Sequence, residues 1–255
     1  MTRDAPTTLT GRIDAVDALR GFAMVWMTAF HFSFDLNQFG HIHQDLYRDP
    51  VWTWQRSVIV SLFLLCAGMG QAIAVAQGQR WPRFWRRWAQ VAGCALLVTA
   101  GSWLMYPHSF IYFGVLHGLA VMLIIARLSA HWGRWLWPLG ALALALPWAV
   151  QPVLTGPLAG FAGALNSPAL NWLGLITHKP VAEDYVPLLP WLGMLWWGIA
   201  AGQGLLSTAW LRQALPLAGV TRRFATLGRW SLSYYMVHQP VLIGALMALA
   251  WLTRH

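Results

Sequence analysis

Three ionisable residues stand on one apolar stretch near the start of the sequence, "DALRGFAMVWMTAFHFSFDL" (residues 17–36). Ionisable groups are costly in hydrocarbon and usually have a function there. Arg20 and His31 are about three helical turns apart on nearly the same face, and Asp35 follows His31 at the i,i+4 spacing where side chains meet. A carboxylate beside an imidazole prepares it as a general base. The spacing therefore predicts a base at His31 supported by Asp35; a snorkelling arginine and a packed core histidine are the alternative interpretation.

Two further histidines lie in apolar segments, His117 in "FIYFGVLHGLAVM" and His238 in "GRWSLSYYMVHQPVL". Imidazoles on three separate spans indicate a polar cavity inside a helical bundle. A hydrogen bond between two helices is the alternative for each of them.

The composition is that of an integral membrane protein. The chain of 255 residues is 58% hydrophobic and 10% charged, with a mean hydropathy of +0.50, whereas a soluble domain carries about 25% charged residues. The net charge of +9 is not gathered in one module, so we expect no nucleic-acid binding. Cys66 and Cys94 fall inside apolar runs and are interpreted as core residues, with neither a disulfide nor a metal site.

Apolar runs of roughly 17–25 residues mark the candidate spans. We predict an all-α polytopic bundle of about seven spans, forming a single integral membrane domain over residues 1–255. The fifth span, which contains Pro138 and Pro147, is expected to be kinked. Most basic residues fall on one side of these spans, which places the N-terminus in the cytoplasm. The spans are 20–40, 55–77, 88–106, 110–128, 135–153, 188–207 and 230–252, with 1–19 a cytoplasmic segment and 154–187 an external or re-entrant segment.

Charged clusters flank the spans. The loop "RWPRFWRRW" contributes Arg83, Arg86 and Arg87, which suit either anionic lipid or the phosphates of a nucleotide-like donor. Glu183 and Asp184 precede the sixth span, where negative charge stabilises a helix N-terminus or contacts an acceptor.

The chain resembles the transmembrane acyltransferases. The spacing of Arg20 and His31 is similar to the first-helix signature of the acyltransferase-3 family of carbohydrate acyltransferases. The remainder resembles more closely the heparan-α-glucosaminide N-acetyltransferase catalytic-domain family and its bacterial members. The matching stretches are "RIDAVDALRGFAMVWMTAFHFSFDLNQFG", "SLFLLCAGMGQAIA", "FIYFGVLHGLAVML", "DYVPLLPWLGMLWWGIAAG" and "LGRWSLSYYMVHQPVL".

The resemblance implies transfer of an acyl group, acetyl above all, from cytoplasmic acyl-CoA to a hydroxyl or amine of a sugar or glycan outside a bacterial inner membrane. Arg20 and His31 map onto the signature residues. The lysosomal members carry asparagine at the position of His31, and their proposed catalytic histidine falls in the following loop, close to His41 and His43 here. Both assignments of the base therefore stay open.

Under this interpretation the site residues divide into catalytic, acyl-CoA-binding and acceptor-binding groups. Membrane lipid is a further expected partner, no metal is expected, and a homodimer is left open. A proton-coupled transporter or other membrane binding protein, and a b-type haem protein, are the rival functions. The predicted catalytic residues are His31, Asp35 and His117. The hydrogen-bond donor to the thioester oxygen is His117, Tyr235 or a backbone N–H. The predicted acyl-CoA site comprises Arg20, Arg83, Arg86, Arg87, Arg229, Tyr235 and His238. The predicted acceptor site comprises Glu183, Asp184 and Trp191.

Overall fold

The computed structural model describes residues 13–208 and 219–253. Within these ranges the chain is built of helices and has no β-strand, and one isolated parallel bridge joins Phe113 to Tyr185. The all-α prediction is therefore confirmed. The predicted cytoplasmic segment 1–19 includes the first turns of the first helix, which begins at Asp14, and its residues 1–12 lie outside the described part of the chain.

Each of the seven predicted spans contains a helix. By length and composition, four helical segments in the described residues could cross a membrane: Pro50–Ala76, Trp81–Met105, Val115–Thr155 and Ser231–Leu252. The chain is thus a membrane helix bundle, and the count of about seven spans stays a prediction. The helices are α1 (Asp14–Gln38), α2 (Pro50–Ala76), α3 (Trp81–Met105), α4 (Val115–Ser129), α5 (Leu136–Thr155), α6 (Ala159–Asn166), α7 (Leu188–Ser207), α8 (Gly219–Arg229) and α9 (Ser231–Leu252).

Three helices, α1, α2 and α3, begin earlier than hydropathy predicts, and the starts of α2 and α3 are set by local signals. α2 begins at Pro50, directly after Asp49, whose Oδ1 accepts a hydrogen bond from the Val51 N–H at 2.8 Å. α3 begins at Trp81, with Pro82 in its first turn. An aspartate before the helix and a proline at its first positions are common helix starts, since they satisfy or remove otherwise unpaired N–H groups.

The break between α4 and α5 lies at Gly133. Its φ of 56° and ψ of −126° fall within a short 3₁₀ segment, Ala130–Trp135, and glycine adopts this left-handed φ at little cost. Pro147 lies inside α5, which continues to Thr155. The glycine turn separates α4 from α5, and the kink expected within the fifth span from Pro138 and Pro147 stays a prediction.

The segment between α5 and α7 is too broken to form a span, as predicted. It holds α6, a 3₁₀ turn at Asn171–Leu173 and extended chain before α7. Asn166 Nδ2 donates to Thr177 Oγ1 at 2.8 Å, and the Thr177 N–H donates back to Asn166 Oδ1 at 3.0 Å. Burial raises the pKa of Tyr185, so its hydroxyl stays protonated and donates to the Asn171 carbonyl oxygen at 2.6 Å. These hydrogen bonds order the segment without a long helix.

The chain divides into two compact units, with the boundary inside α2 after Cys66. The first, here called the α1 unit, contains α1, the first part of α2, α8 and α9. The second, here called the α4 unit, contains the end of α2 and α3 to α7. The single domain over residues 1–255 stays a prediction.

Glycines bring α1 and α8 into backbone contact in the α1 unit. A Cβ added to Gly21 would lie 1.9 Å from the Phe224 carbonyl oxygen, and one added to Gly228 would lie 1.9 Å from the Asp17 carbonyl oxygen. No side chain fits at either position, because backbone atoms occupy the space. Small residues of this kind allow helices in membranes to pack at close range.

Glycines also set the packing of α7 in the α4 unit. A Cβ on Gly68 of α2 would lie 2.2 Å from the Leu195 carbonyl oxygen, and one on Gly193 would lie 2.5 Å from the Gly140 carbonyl oxygen of α5. Trp197 of α7 closes the same contact by donating its indole N–H to the Trp137 carbonyl oxygen at 3.0 Å.

Candidate functional site

Arg20 lies in the second turn of α1 and is held by three acceptors from its own unit. Its Nη1 donates to Asp17 Oδ1 at 2.7 Å and to the Gly228 carbonyl oxygen at 3.5 Å, and its Nη2 donates to the Cys66 carbonyl oxygen at 3.3 Å. Gly228 is at the C-terminal end of α8, where the helix dipole favours a cation. Only 19% of the Arg20 side chain is exposed. Arg20 therefore ties α1 to α2 and α8, and a donor phosphate would compete with these bonds.

A second arginine approaches the same carboxylate. Asp17 is 4% exposed, and Arg229 Nε lies 3.8 Å from its Oδ2. Arg229 Nη2 also donates to Asp14 Oδ1 at 2.6 Å. Arg229 is one of the residues predicted to bind acyl-CoA. Because 41% of its side chain is exposed, a ligand could reach it.

His31 of α1 and His238 of α9 are in contact. Their ring centroids are 5.1 Å apart and their planes are inclined by 80°, an edge-to-face arrangement. Tyr234 and Tyr235, whose rings lie near that of His238, also pack on a buried apolar cluster of Met24, Met27 and Ile59. The structure thus brings together two histidines that the sequence places on separate spans.

The orientation of His238 is fixed by its surroundings. Its Nδ1 lies 2.7 Å from the Tyr235 carbonyl oxygen, and its ring lies parallel to that of Tyr234 at a centroid distance of 6.0 Å. Thr28 donates its hydroxyl hydrogen to the Met24 carbonyl oxygen at 2.9 Å, so the Tyr234 hydroxyl donates to Thr28 Oγ1 at 2.7 Å. The tyrosine that supports His238 is itself anchored to α1.

Asp35 is 4% exposed and accepts a hydrogen bond from Gln239 Nε2 at 2.7 Å. The i,i+4 spacing predicted a direct contact with His31. Instead the donor that reaches the Asp35 carboxylate is Gln239 of α9. The correction has a physical reason, since a buried carboxylate bonds the nearest donor and α9 supplies one. Asp35 Oδ2 has no hydrogen-bond partner among the described residues.

His117, the third predicted imidazole, belongs to the α4 unit and has a complete set of partners there. The Gly114 N–H donates to its Nδ1 at 3.3 Å, so the ring hydrogen is on Nε2, which lies 2.9 Å from Thr99 Oγ1. Thr99 in turn donates to the Ile111 carbonyl oxygen at 2.8 Å. Both ring nitrogens are thus engaged in fixing the start of α4, which leaves the neutral ring no free donor for a thioester oxygen.

The carboxylates predicted to bind an acceptor are also engaged within the α4 unit. Asp184 Oδ2 accepts from the Val115 N–H at 2.7 Å, which caps the N-terminus of α4. Glu183 Oε1 accepts from Ser109 Oγ at 2.5 Å, and the Glu183 N–H donates to the Ser109 carbonyl oxygen at 2.8 Å. Asp184 therefore stabilises the N-terminus of α4 rather than that of α7, and Glu183 holds Ser109 in the segment that precedes α4.

The remaining predicted residues are more accessible. The basic loop residues Arg83, Arg86 and Arg87 are exposed in the first turns of α3, and Trp191 of α7 is half-buried. His41 and His43, the alternative base candidates, are exposed between α1 and α2.

Sequence reasoning overlooked two residues of the α1 unit, Asp17 and Thr28, and noted Gln239 only as a neighbour of His238. Asp17 has a usable signal, because it precedes Arg20 by three positions on one helix face. Gln239 and Thr28 act across helices, and no local spacing reveals such contacts.

Searches among curated proteins and among solved structures find no match to this chain. A family model does match it. The model described as heparan-alpha-glucosaminide N-acetyltransferase, catalytic, aligns with residues 12–240, a range that includes Arg20, His31, His117 and His238. Because this match covers most of the sequence, the chain belongs to the heparan-alpha-glucosaminide N-acetyltransferase catalytic-domain family.

Proposed function

We propose that this protein is a membrane-bound acyltransferase that moves an acyl group, acetyl above all, from cytoplasmic acyl-CoA to a hydroxyl or amine of a sugar outside a bacterial inner membrane. Membership of an N-acetyltransferase family supports the reaction class. The observation that carries the proposal is the His31–His238 pair between α1 and α9, because it sets imidazoles in a largely buried site where a proton can be accepted.

The reaction needs such a base. The acceptor oxygen or nitrogen attacks the thioester carbonyl carbon and loses a proton, the carbon–sulfur bond breaks, and the thiolate of CoA leaves and takes up a proton. A positioned general base typically contributes 10²–10⁴-fold to the rate. The histidine pair supplies the base, and His31 is the member that maps onto the signature histidine of the acyltransferase-3-like first helix.

The donor side rests on accessible cations. CoA carries several phosphates, and exposed arginines attract them without first breaking a buried bond. The exposed residues Arg83, Arg86 and Arg87, together with the half-exposed Arg229, fit this role. Arg20 is held by protein acceptors, so we assign it to positioning α1 rather than to direct phosphate binding.

The acceptor side rests on Asp35. Its Oδ2 atom is buried without a partner among the described residues, and a carboxylate oxygen accepts hydrogen bonds only from donors such as a hydroxyl or an amine. We therefore place the reacting group of the sugar near Asp35. The acceptor role of Trp191 in the α4 unit stays a separate prediction from the sequence. Asp184 caps α4, and Glu183 bonds Ser109 ahead of that helix.

The proposal is tested with purified protein in proteoliposomes, supplied with acetyl-labelled acetyl-CoA and a set of amino sugars and neutral glycans. Labelled sugar should form, and the matched double variant His31→Ala/His238→Ala should form none. The vesicles could instead accumulate a solute in response to a pH gradient while no labelled product and no free CoA appear. That result would replace the acyltransferase hypothesis with the transporter hypothesis.

A further inference from the structure

The hydrogen bond to Tyr235 fixes the tautomer of His238. A carbonyl oxygen can only accept, so the 2.7 Å contact between His238 Nδ1 and the Tyr235 carbonyl oxygen places the ring hydrogen on Nδ1. In the neutral imidazole the other nitrogen then carries a lone pair. Nε2 is therefore the atom of His238 that can take up a proton.

That atom is buried and has no partner. His238 is 8% exposed, and no described residue forms a hydrogen bond with its Nε2. Buried polar atoms nearly always have a partner, and each exception calls for an explanation. A donor group on a bound substrate would satisfy Nε2, because the protein has already satisfied Nδ1.

The ring is also held in place on several sides. Tyr234 lies parallel to it, Tyr235 lies at a centroid distance of 5.5 Å, and the edge of His31 closes another side. The side chain of His31, by contrast, is only half-buried. The geometry thus preorganises His238 more strictly than His31.

Resting on the acyl transfer proposed above, we infer that His238 is the residue that accepts the proton, through Nε2, and that His31 is a positioning residue. As the acceptor oxygen or nitrogen bonds to the thioester carbon, its proton passes to Nε2. The carbon–sulfur bond breaks, and the imidazolium returns that proton to the departing thiolate. The titratable groups that face His238 are His31 and, through Gln239, Asp35 from α1, with Tyr234 and Tyr235 from α9.

Chemical rescue distinguishes the two histidines. His238→Ala should lower the rate of acylated-sugar formation by at least about a hundredfold, and added imidazole should restore part of it in proportion to its unprotonated fraction. His31→Ala should gain nothing from imidazole, and His131→Ala, an exposed histidine away from the cluster, should behave as wild type. Rescue of His31→Ala alone, or a His238→Ala rate within tenfold of wild type, would overturn the assignment.

A second measurement does not depend on catalysis. In protein labelled with nitrogen-15 at histidine, the signals absent from His238→Asn identify the residue in the wild type. The neutral ring should carry hydrogen on Nδ1 and none on Nε2, and the opposite tautomer would refute the inference. A wild-type protein that transfers no acyl group would instead refute the proposed function, so the two failures are separable.

Discussion

Gly228 of α8 lies directly against the backbone of Asp17 in α1, so closely that a Cβ at position 228 would be 1.9 Å from the Asp17 carbonyl oxygen. Asp17 is also the buried carboxylate that Arg20 holds. The helix contact and the ion pair therefore share one residue, which makes the α1–α8 contact the support for the start of the helix that carries His31 and Asp35.

Gly228→Ala should destabilise this contact, because the obstacle to the added methyl group is backbone and cannot rotate away. Inserting atoms into a packed core typically costs about 1–3 kcal/mol, and a carbonyl contact of this closeness belongs at the upper end. Thermal unfolding in detergent, followed by tryptophan fluorescence, should show a lower Tm. Gly244→Ala in α9 is the matched control, since its Cβ would meet nothing within 4 Å; its Tm should equal or exceed that of wild type. Equal stability of both variants would contradict the packing argument.

Arg20→Met should destabilise the protein by about 2–4 kcal/mol, because the buried Asp17 carboxylate loses its partner at 2.7 Å and keeps Arg229 at the longer distance of 3.8 Å. The double variant Asp17→Asn/Arg20→Met should be more stable than Arg20→Met alone, since the charge is removed with its partner. A double-mutant cycle on Tm measures this coupling. A raised KM for acyl-CoA with unchanged stability would instead identify Arg20 as a direct donor contact.

The positions of the helices were easier to predict from the sequence than the contacts between them. Apolar runs located α7 and α9 well, because burial in lipid or a core depends on local composition. The contact of His31 with His238 joins residues near opposite ends of the sequence, and no spacing rule reports which helices meet. Asp35 illustrates the same limit: the i,i+4 rule favoured His31, but a donor on another helix lay closer.

His117→Phe should lower stability while leaving the turnover of the folded protein within tenfold of wild type. The histidine links Gly114 at the start of α4 to Thr99 of α3, and loss of a buried hydrogen-bond partner costs about 1–3 kcal/mol. Thr99→Val breaks the same network, so the double variant should be less destabilised than the sum of the two single changes. Unfolding curves and single-turnover rates on the same samples separate the two roles. A loss of rate beyond a hundredfold at unchanged Tm would return His117 to the catalytic group.

Replacing Arg83, Arg86 and Arg87 together with Gln should raise the KM for acyl-CoA several-fold and leave kcat nearly unchanged, because exposed cations contribute to binding in the ground and transition states alike. The wild-type KM should itself rise with ionic strength, since salt screens exposed charges over about 10 Å at 0.1 M, and the triple variant should respond less to salt.

Arg48→Gln is the matched control: Arg48 is exposed but precedes α2, on the side predicted to face away from the cytoplasm. Initial rates at several salt concentrations measure both effects. A KM for acyl-CoA that is independent of salt, or that Arg48→Gln raises equally, would show that these arginines do not bind acyl-CoA. Vesicle binding that depends on anionic lipid would then assign the loop to the membrane surface.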